Sequence, residues 1–225
     1  MKRILIIFTA VSALLSACCG PKDGEYTFHL LTTNDVHGRY YDSLYVNQRT
    51  DNSLLNVKWY ADSLRNAAGR DNIILVDAGD CMQGDNAAYY FNYIDTTSKH
   101  LFARMTEYIG YDAVVVGNHD IETGHKVYDR MVKTMKVPFL AANAIRTDNG
   151  KPYFREYVTL ERHGLKITII GFTNPNIKGW LSPALWEGMT FESLIPMAQQ
   201  TVDRIVAEEG SDVVIVAVHA GTGAG

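Results

Sequence analysis

Cysteine is scarce in this 225-residue chain, and its positions exclude a disulfide framework. Of the three cysteines, Cys18 and Cys19 are adjacent near the start, and only Cys81 lies in the body of the chain. A disulfide-stapled scaffold needs several cysteine pairs spread along the sequence. Cys81 directly follows Asp80, where a soft metal ligand is conceivable, but the sequence favours a small buried residue behind a site.

The chain also lacks a block of basic residues. It carries 21 Lys and Arg against 25 Asp and Glu, which gives a formal net charge of −4. Binding to duplex nucleic acid relies on clustered cations, so we do not expect duplex nucleic acid as a partner. An acidic surface is compatible with a phosphate substrate when bound metal ions supply the local positive charge.

Repeats and low-complexity segments are absent too. With 47% hydrophobic residues, a chain of this length can bury one good core. We therefore expect a single domain preceded by a leader. The sequence gives no indication of the oligomeric state.

No apolar run near the start is long enough for a transmembrane helix. Ile4–Leu14 is apolar, but it is far shorter than the roughly 20 residues that span a bilayer. Lys2 and Arg3 precede it, as in a secretion signal. The following Leu15-Ser16-Ala17-Cys18 resembles the bacterial lipobox. A transmembrane anchor and a plain cleaved signal are the alternatives.

These features predict a lipoprotein. Residues 1–17 would be the signal peptide, residues 18–25 a flexible tether, and residues 26–225 the folded domain. A lipid on Cys18 would anchor the exported protein to a membrane of the bacterial cell envelope, on the periplasmic or outer-membrane face.

The domain alternates apolar runs with helical patterns, which predicts an α/β fold. The predicted strands are 26–33, 72–78, 112–116, 137–141 and 212–218, and the predicted helices are 53–68, 98–109, 124–135 and 192–209. Residues 154–172 predict a hairpin that turns at His163-Gly164, where His163 would be solvated. Residues 174–188, which contain Trp180 and Trp186, predict a loop that covers a helix end or lines a site.

Polar motifs stand at the ends of four apolar runs. They are Asp35-Val36-His37, Gly79-Asp80, Gly117-Asn118-His119-Asp120 and Val218-His219. Ligand sites in open α/β sheets collect beyond the carboxyl ends of the strands. Each motif alone could be a turn or a helix cap, and His219 alone could be a core histidine. Their conjunction predicts a metal site at one edge of one sheet.

The donor types indicate which ions such a site would hold. Carboxylates and an Asn carbonyl suit hard divalent cations, whereas imidazoles suit Zn, Mn, Fe or Co. One carboxylate can bridge two ions about 3.5–4 Å apart. Asp80 is the best bridging candidate because its motif lies between the other two donor groups. We expect two divalent ions from the set Zn, Mn, Fe, Co and Mg.

The order of these motifs resembles the calcineurin-like metallophosphoesterases. Residues 32–38, 77–80 with Gln83-Gly84, and 117–120 are similar to the branch of 5'-nucleotidases and 2',3'-cyclic-nucleotide 2'-phosphodiesterases. The similarity runs from about Tyr26 to the last residue and includes Ala141-Ala142-Asn143. It implies a two-sheet sandwich with flanking helices.

The resemblance also implies a role for each site residue. Asp35 and His37 would bind one ion, Asp80 would bridge, and Asn118 and His219 would bind the second ion.

A separate role falls to His119, which by the same resemblance would act on the phosphate. Glu122 stands where the branch usually has an Asp partner for that histidine. The other histidines, His29, His100 and His125, are expected to be structural or exposed.

The family completes its site with a G-H-x-H or G-H-x-Q motif some tens of residues after the strand that ends in His219, whereas the sequence stops at Gly225. We therefore expect the sandwich to be incomplete at its carboxyl end and the nucleotide-selecting C-terminal domain to be absent. Both ions would then lack a ligand.

The implied activity is hydrolysis of 5'-nucleotides or 2',3'-cyclic nucleotides by a metal-bound hydroxide. One alternative is a surface-anchored protein that binds metal or phosphate without efficient turnover. Another is a sulfur-ester hydrolase of the same superfamily. An aromatic cluster at 87–93 could face a nucleobase, although packing under the site or against another domain is the commoner use.

Overall fold

A computed structural model describes residues 23–42 and 52–221. The predicted signal peptide, the lipid-attachment residue Cys18 and most of the tether lie outside these residues. Within the described ranges, no helix combines the length and apolar character needed to cross a membrane.

Four parallel strands form the first sheet. They are β1 (His29–Thr33), β2 (Ile73–Asp77), β3 (Ala113–Val115) and β4 (Phe139–Leu140), in that spatial order. All five residues of β2 are buried, as expected for a strand covered on both faces. The predicted parallel sheet is therefore confirmed, and it brings the ends of β1, β2 and β3 to one edge.

The remaining described strands form a two-stranded sheet and a second large sheet. A short antiparallel pair joins β5 (Ala144–Arg146) to β8 (Met189–Phe191). The second large sheet contains β6 (Tyr157–Arg162), β7 (Leu165–Thr173) and β9 (Val213–His219) in that order.

The predicted hairpin is formed by β6 and β7. Its turn residues His163 and Gly164 have φ values of 53° and 79°, which suits a tight two-residue hairpin turn. On its other side, β7 pairs with β9 in parallel, so that Thr173 lies opposite His219.

The two large sheets pack face to face. Ile74, Val76 and Leu140 of the first sheet share a buried cluster with Ile167 and Ile169 of the second. The sheets approach closely at Gly171, where an added Cβ would lie 2.4 Å from the Leu140 Cβ. A side chain at this position would force the layers apart.

Helices cover the outer faces of both sheets. The first is covered by α1 (Leu54–Ala68), α3 (Leu101–Ile109) and α5 (His125–Thr134), and the second by α7 (Leu194–Glu209). The short segments are α2 (Asn86–Tyr89) with a π turn (Tyr90–Ile94), α4 (Asn118–Glu122), α6 (Ile177–Trp180) and 3₁₀ turns at Arg70–Asn72 and Pro183–Leu185. The expected α/β sandwich with flanking helices is confirmed.

Candidate metal centre

The five residues predicted as metal ligands meet where β1, β2, β3 and β9 end. Two groups of side chains have potential ligand atoms within 4.8 Å of one another. One group is Asp80 with His37 and His119, and the other is Asp80 with Asp35 and His219. Asp80 belongs to both groups, which is the placement that a bridging carboxylate needs.

Backbone hydrogen bonds hold the first two motifs side by side. The Asp35 amide donates to the Gly79 carbonyl at 2.9 Å, and the His37 amide donates to the Asp80 carbonyl at 3.0 Å. The loop after β1 therefore runs alongside the loop after β2, and the side chains of both loops line one cleft.

Three of the candidate ligands have a left-handed backbone. The φ values are 50° at Asp35, 47° at His37 and 61° at Asp80. Among the described non-glycine residues, only the turn residue His163 also has a positive φ. Residues with a Cβ rarely adopt this conformation, and such strain concentrates at functional sites.

Two glycines leave the room that this arrangement needs. A Cβ on Gly117 would lie 2.1 Å from Asp80 Oδ1, and a Cβ on Gly79 would lie 2.9 Å from His219 Nδ1. Gly79 also has a φ of 108°, which favours glycine. Each of these two glycines therefore permits the close approach of a candidate ligand from another motif.

His219 presents a defined nitrogen to the centre. Its Nδ1 lies 2.9 Å from the Ala78 carbonyl oxygen, which can only accept, so Nδ1 carries a hydrogen and donates it. Its Nε2 lies 3.2 Å from Asp80 Oδ2 and 3.1 Å from Asn118 Oδ1. An imidazole fixed through one nitrogen is the usual preparation of a metal ligand.

Electrostatics at the same place favour a cation. Burial lowers the pKa of His219, but its hydrogen bond and charge contact with Asp80 outweigh burial and raise this pKa to about 9. Burial acts to raise the pKa of Asp80, yet the contacts with His219 leave it below its ordinary value. Asp80 Oδ2, Asn118 Oδ1 and His219 Nε2 therefore meet where a positive charge is favoured. This donor set fits a divalent ion.

Asp120 joins the second and third motifs, a role that the sequence analysis missed. Its buried carboxylate accepts from the amides of Asp80 (3.0 Å), Cys81 (3.0 Å), Met82 (2.9 Å) and Gly117 (2.8 Å). Burial raises its pKa, while these amides oppose the rise. The sequence did contain a sign of this role. Asp120 stands three residues after Gly117, which caps α4, and a side chain at that position can accept a hydrogen bond from the capping residue's amide.

Asp77 supports the centre from behind. It accepts from Thr33 Oγ1 at 2.5 Å, the Gly79 amide at 2.9 Å and Cys81 Sγ at 3.0 Å. Burial raises its pKa to about 7. Cys81 is fully buried, and burial raises the pKa of its thiol well above the ordinary value. The prediction of a small buried residue at Cys81 is confirmed.

His119 and Glu122 form a pair on one side of α4. His119 Nδ1 lies 2.5 Å from Glu122 Oε2, and the His119 amide donates to Asp80 Oδ1 at 2.7 Å. The His119 ring meets the His37 ring edge-on, with centroids 5.2 Å apart. The imidazole is thus oriented by Glu122 and faces the candidate ligands, close enough to be a ligand itself.

A cavity of about 520 Å³ opens above these groups. The candidate ligands Asp35, His37, Asp80, Asn118 and His219 line it together with His119, and Trp180 forms part of its wall. Trp186, from the same predicted loop, instead packs against Phe191. The loop therefore contributes one of its two tryptophans to the site.

The remaining histidines lie outside the ligand groups. His29 is exposed on β1, His100 is buried at the start of α3, and His125 is half-buried beside Asp129. The expectation that they are structural or exposed is confirmed.

Comparison with known proteins gives consistent results. No protein-family model matches the chain. The 5'-nucleotidase of Diplobatis ommata is 30% identical over 226 residues, which are 95% of this chain and 37% of that protein. Protein UshA of Yersinia enterocolitica is 27% identical over 228 residues, or 97% and 40% of the two chains. The crystal structure of the calcineurin-like phosphoesterase YfkN from Bacillus subtilis matches with a TM-score of 0.76 and 26% identity over 86% of this chain and 62% of that one.

The sandwich, the strand-end cluster and these similarities agree with one another: the chain has the fold of the calcineurin-like phosphoesterases and is similar to them in sequence. Its curated relatives include proteins named 5'-nucleotidase. The chain spans about 40% of the length of the 5'-nucleotidase and of Protein UshA reported above.

Proposed function

We propose that this chain is a metal-dependent phosphoesterase domain that hydrolyses 5'-nucleotides or 2',3'-cyclic nucleotides. The proposal rests on the position of Asp80. This residue is shared by two groups of potential ligands and lies beside the paired His119 and Glu122. The relatives named 5'-nucleotidase support a nucleotide as the substrate.

In this proposal the ligands divide around Asp80. Asp35 and His37, whose Oδ1 and Nε2 lie 3.8 Å apart, would hold one divalent ion with Asp80, while Asn118 and His219 would hold the other. The ligand-atom groups divide differently, since Asp35 falls with His219 and His37 falls with His119. When bound, the ions supply Lewis-acid charge that activates water and offsets charge on the phosphoryl oxygens. The chain positions them through the left-handed backbone of the first motif and the Ala78 contact of His219.

His119 acts on the substrate. Because its Nδ1 is engaged by Glu122, its Nε2 is the atom free to meet the phosphate ester. From there it donates a proton to the leaving oxygen or stabilises the developing charge, and such a group contributes a factor of about 10²–10⁴. Glu122 is a positioning residue because it acts through the imidazole.

The location belongs to the same proposal. Residues 1–17 serve as a lipoprotein signal peptide, residues 18–25 as a tether, and a lipid on Cys18 anchors the domain of residues 26–225 at the cell envelope. A nucleotidase there meets nucleotides whose charge prevents them from crossing the membrane unaided. Fractionation of a Cys18→Ala variant tests this, because the variant should move from the membrane to the soluble fraction.

Activity is tested with the 225-residue chain after metal removal and after readdition of Mn²⁺, Zn²⁺, Co²⁺, Fe²⁺ or Mg²⁺. The substrates are adenosine 5'-monophosphate, a 2',3'-cyclic nucleotide and an aryl sulfate. We expect metal-dependent phosphate release from a nucleotide. Metal binding without turnover would support a binding protein instead, and hydrolysis confined to the sulfate would support a sulfur-ester hydrolase.

A further inference from the structure

Two large aromatic side chains stand exposed on the helices that cover the first sheet. Trp59 of α1 is 75% exposed and Tyr108 of α3 is 65% exposed. The ammonium group of Lys58, the neighbour of Trp59, lies 5.2 Å from the centroid of the Tyr108 ring, so both helices contribute to one outer surface. We call the outer surface of α1, α3 and α5 the helical face. Exposed rings that lie together on a surface mark a site of interaction more often than isolated ones do.

The acidic side chains of the helical face already have partners. Each of them contacts a basic side chain: Asp62 with Lys58 and Arg65, Glu107 with Lys99, and Asp129 with His125. Their negative charges are therefore compensated within the protein and offer little repulsion to an anionic partner.

Three cations of the same face have no such partner. Arg104, Lys126 and Lys133 are exposed and form no ion pair with the residues that the structure describes. Arg104 lies one turn before Tyr108, on the same side of α3. The helical face is thus positive although the whole chain has a formal net charge of −4.

This combination of groups suits the surface of a membrane. Trp and Tyr favour the headgroup level of a bilayer, where the ring is partly buried and its polar end stays wet. Anionic phospholipids attract Lys and Arg that lie close to the surface. Rings and uncompensated cations occur together on the helical face, so it offers both kinds of contact.

The N-terminal end of the described chain lies beside the end of α1. The Tyr26 ring is 6.1 Å from the His163 ring, measured between centroids, and His163 Nε2 lies 2.6 Å from Asn72 Oδ1. Asn72 in turn donates from Nδ2 to the carbonyl of Ala68, the last residue of α1, at 2.6 Å. The proposed tether of residues 18–25 therefore leaves the domain at one end of the helical face.

The tether is short enough to keep this face near a membrane in which Cys18 is anchored. Residues 18–25 span at most about 29 Å when fully extended. Trp59 lies about 14 Å along α1 from Ala68, as the helical rise per residue requires. The rings are thus within reach of the bilayer, and the anchor would hold them there at a high effective concentration.

We infer that the helical face lies against the anionic phospholipid surface of the membrane. The inference rests on the proposed location for the anchor, and it adds an orientation of the domain. The cavity above the candidate metal ligands is lined by no described residue of α1, α3 or α5. A domain oriented in this way therefore keeps its candidate metal centre open to solvent.

The first experiment determines which tryptophan contacts lipid. The 225-residue chain is bound to vesicles of equal parts phosphatidylcholine and phosphatidylglycerol with brominated acyl chains, because bromine quenches tryptophan fluorescence on contact. Residues 1–25 contain no tryptophan, so the signal comes from the domain alone. We expect quenching in wild type and its loss in Trp59→Phe. Trp180→Phe, which removes an exposed tryptophan from the wall of the metal cavity, is the control and should keep it. Absence of quenching in wild type, or full quenching in Trp59→Phe, would overturn the inference.

The second experiment tests the charge of the face. The partition coefficient of the chain is measured on phosphatidylcholine vesicles with and without phosphatidylglycerol, and the ratio of the two values is compared between variants. The triple variant Arg104→Gln/Lys126→Gln/Lys133→Gln should lower the ratio about fivefold for each lost cation. The leader is identical in every variant, so its contribution is the same throughout.

A matched control removes the same charge elsewhere. Lys151→Gln/Arg155→Gln/Lys178→Gln also replaces two lysines and one arginine at exposed positions, all of them outside the three helices, and should leave the ratio unchanged. Equal losses in the two triple variants would show that net charge alone governs binding, and the inference would be wrong.

Neither readout uses turnover or the lipid on Cys18, so the inference and the proposed function can fail separately. If Cys18→Ala fractionates like wild type while Trp59 is quenched and the charge effect is confined to the helical face, the proposed anchor fails and the inference stands. If the anchor is confirmed but Trp59 is not quenched, the domain stands away from the bilayer and the inference is overturned.

Discussion

Both large sheets contribute to the candidate metal centre, but the contributing strand is buried in the first sheet and partly exposed in the second. In the first sheet β2 is buried along its whole length and ends near Asp80, whose exposed fraction is 3%. In the second sheet β9 lies at one end of the described strand order, and its residues Val213, Val216 and Val218 are about 40% exposed. The first sheet supplies most candidate ligands from a packed core, and the second supplies only His219.

This difference indicates that Asp80 is the centre's fixed point. Asp80 is held by the His119 amide, and its loop is held by Asp120 and by the first motif. His219 reaches it across the sheets through Ala78 and Asn118. Damage at Asp80 should therefore affect the whole centre, whereas damage at a single flanking ligand should affect one ion.

The largest effect is expected for Asp80→Asn. The substitution keeps the shape of the side chain but removes the negative charge that would balance two cations, so both ions should be lost and nucleotide hydrolysis abolished. Asn118→Ala is the comparison and should lose mainly one ion. Metal content per chain, measured after dialysis, distinguishes the two. Equal and small losses in both variants would contradict a bridging role for Asp80.

A smaller effect on turnover is expected for His119→Asn. Metal content should stay near wild type while kcat falls by a factor of about 10²–10⁴, because the proton donor is lost and the ligands remain. Glu122→Gln should reduce kcat less, since it only orients the imidazole. His119 lies within ligand distance of His37 and Asp80, so loss of metal in His119→Asn would identify it as a ligand instead.

The contact between the sheets can be tested through stability. In Gly171→Ala the new methyl group would collide with Leu140, and we expect a loss of about 1–3 kcal/mol in the free energy of unfolding. Gly179→Ala places the same methyl group in open space on α6 and should be nearly neutral. Denaturant unfolding of both variants gives the comparison. Equal stability would show that the sheets can separate at little cost.

The first sheet and the gathering of the motifs were predictable from the sequence. Buried parallel strands leave a recognisable run of apolar residues, and their carboxyl ends must meet at one edge. The pairing of β5 with β8 was missed because three-residue strands show no periodicity. The expectation that every site residue lies at the edge of one sheet is wrong for His219. Its strand β9 belongs to the second sheet, where His219 pairs with Thr173, and no local pattern encodes this long-range pairing. Asp77 and Asp120 were missed for a related reason, since their partners are backbone amides and buried groups that appear only after folding.

The smallest expected effect is on the stability of the fold in acid, and it comes from His100 at the start of α3. Burial, assisted by the positive charge of Arg130, lowers the pKa of His100 from 6.5 to about 3. Below pH 6.5 the unfolded chain therefore binds a proton that the folded chain does not, so His100 destabilises the fold as the pH falls. Between pH 6.5 and 5 this difference amounts to about 1.5 kcal/mol.

His100→Asn keeps a side-chain acceptor for the Phe102 amide but cannot titrate, so its stability should fall less over this range than that of wild type. Urea unfolding at several pH values measures the two slopes, and His29→Asn, which removes an exposed histidine from β1, serves as the control. Parallel curves for wild type and His100→Asn would mean that His100 is charged in the folded protein. The hydrogen bond between a neutral His100 and Asn92 would then have to be revised.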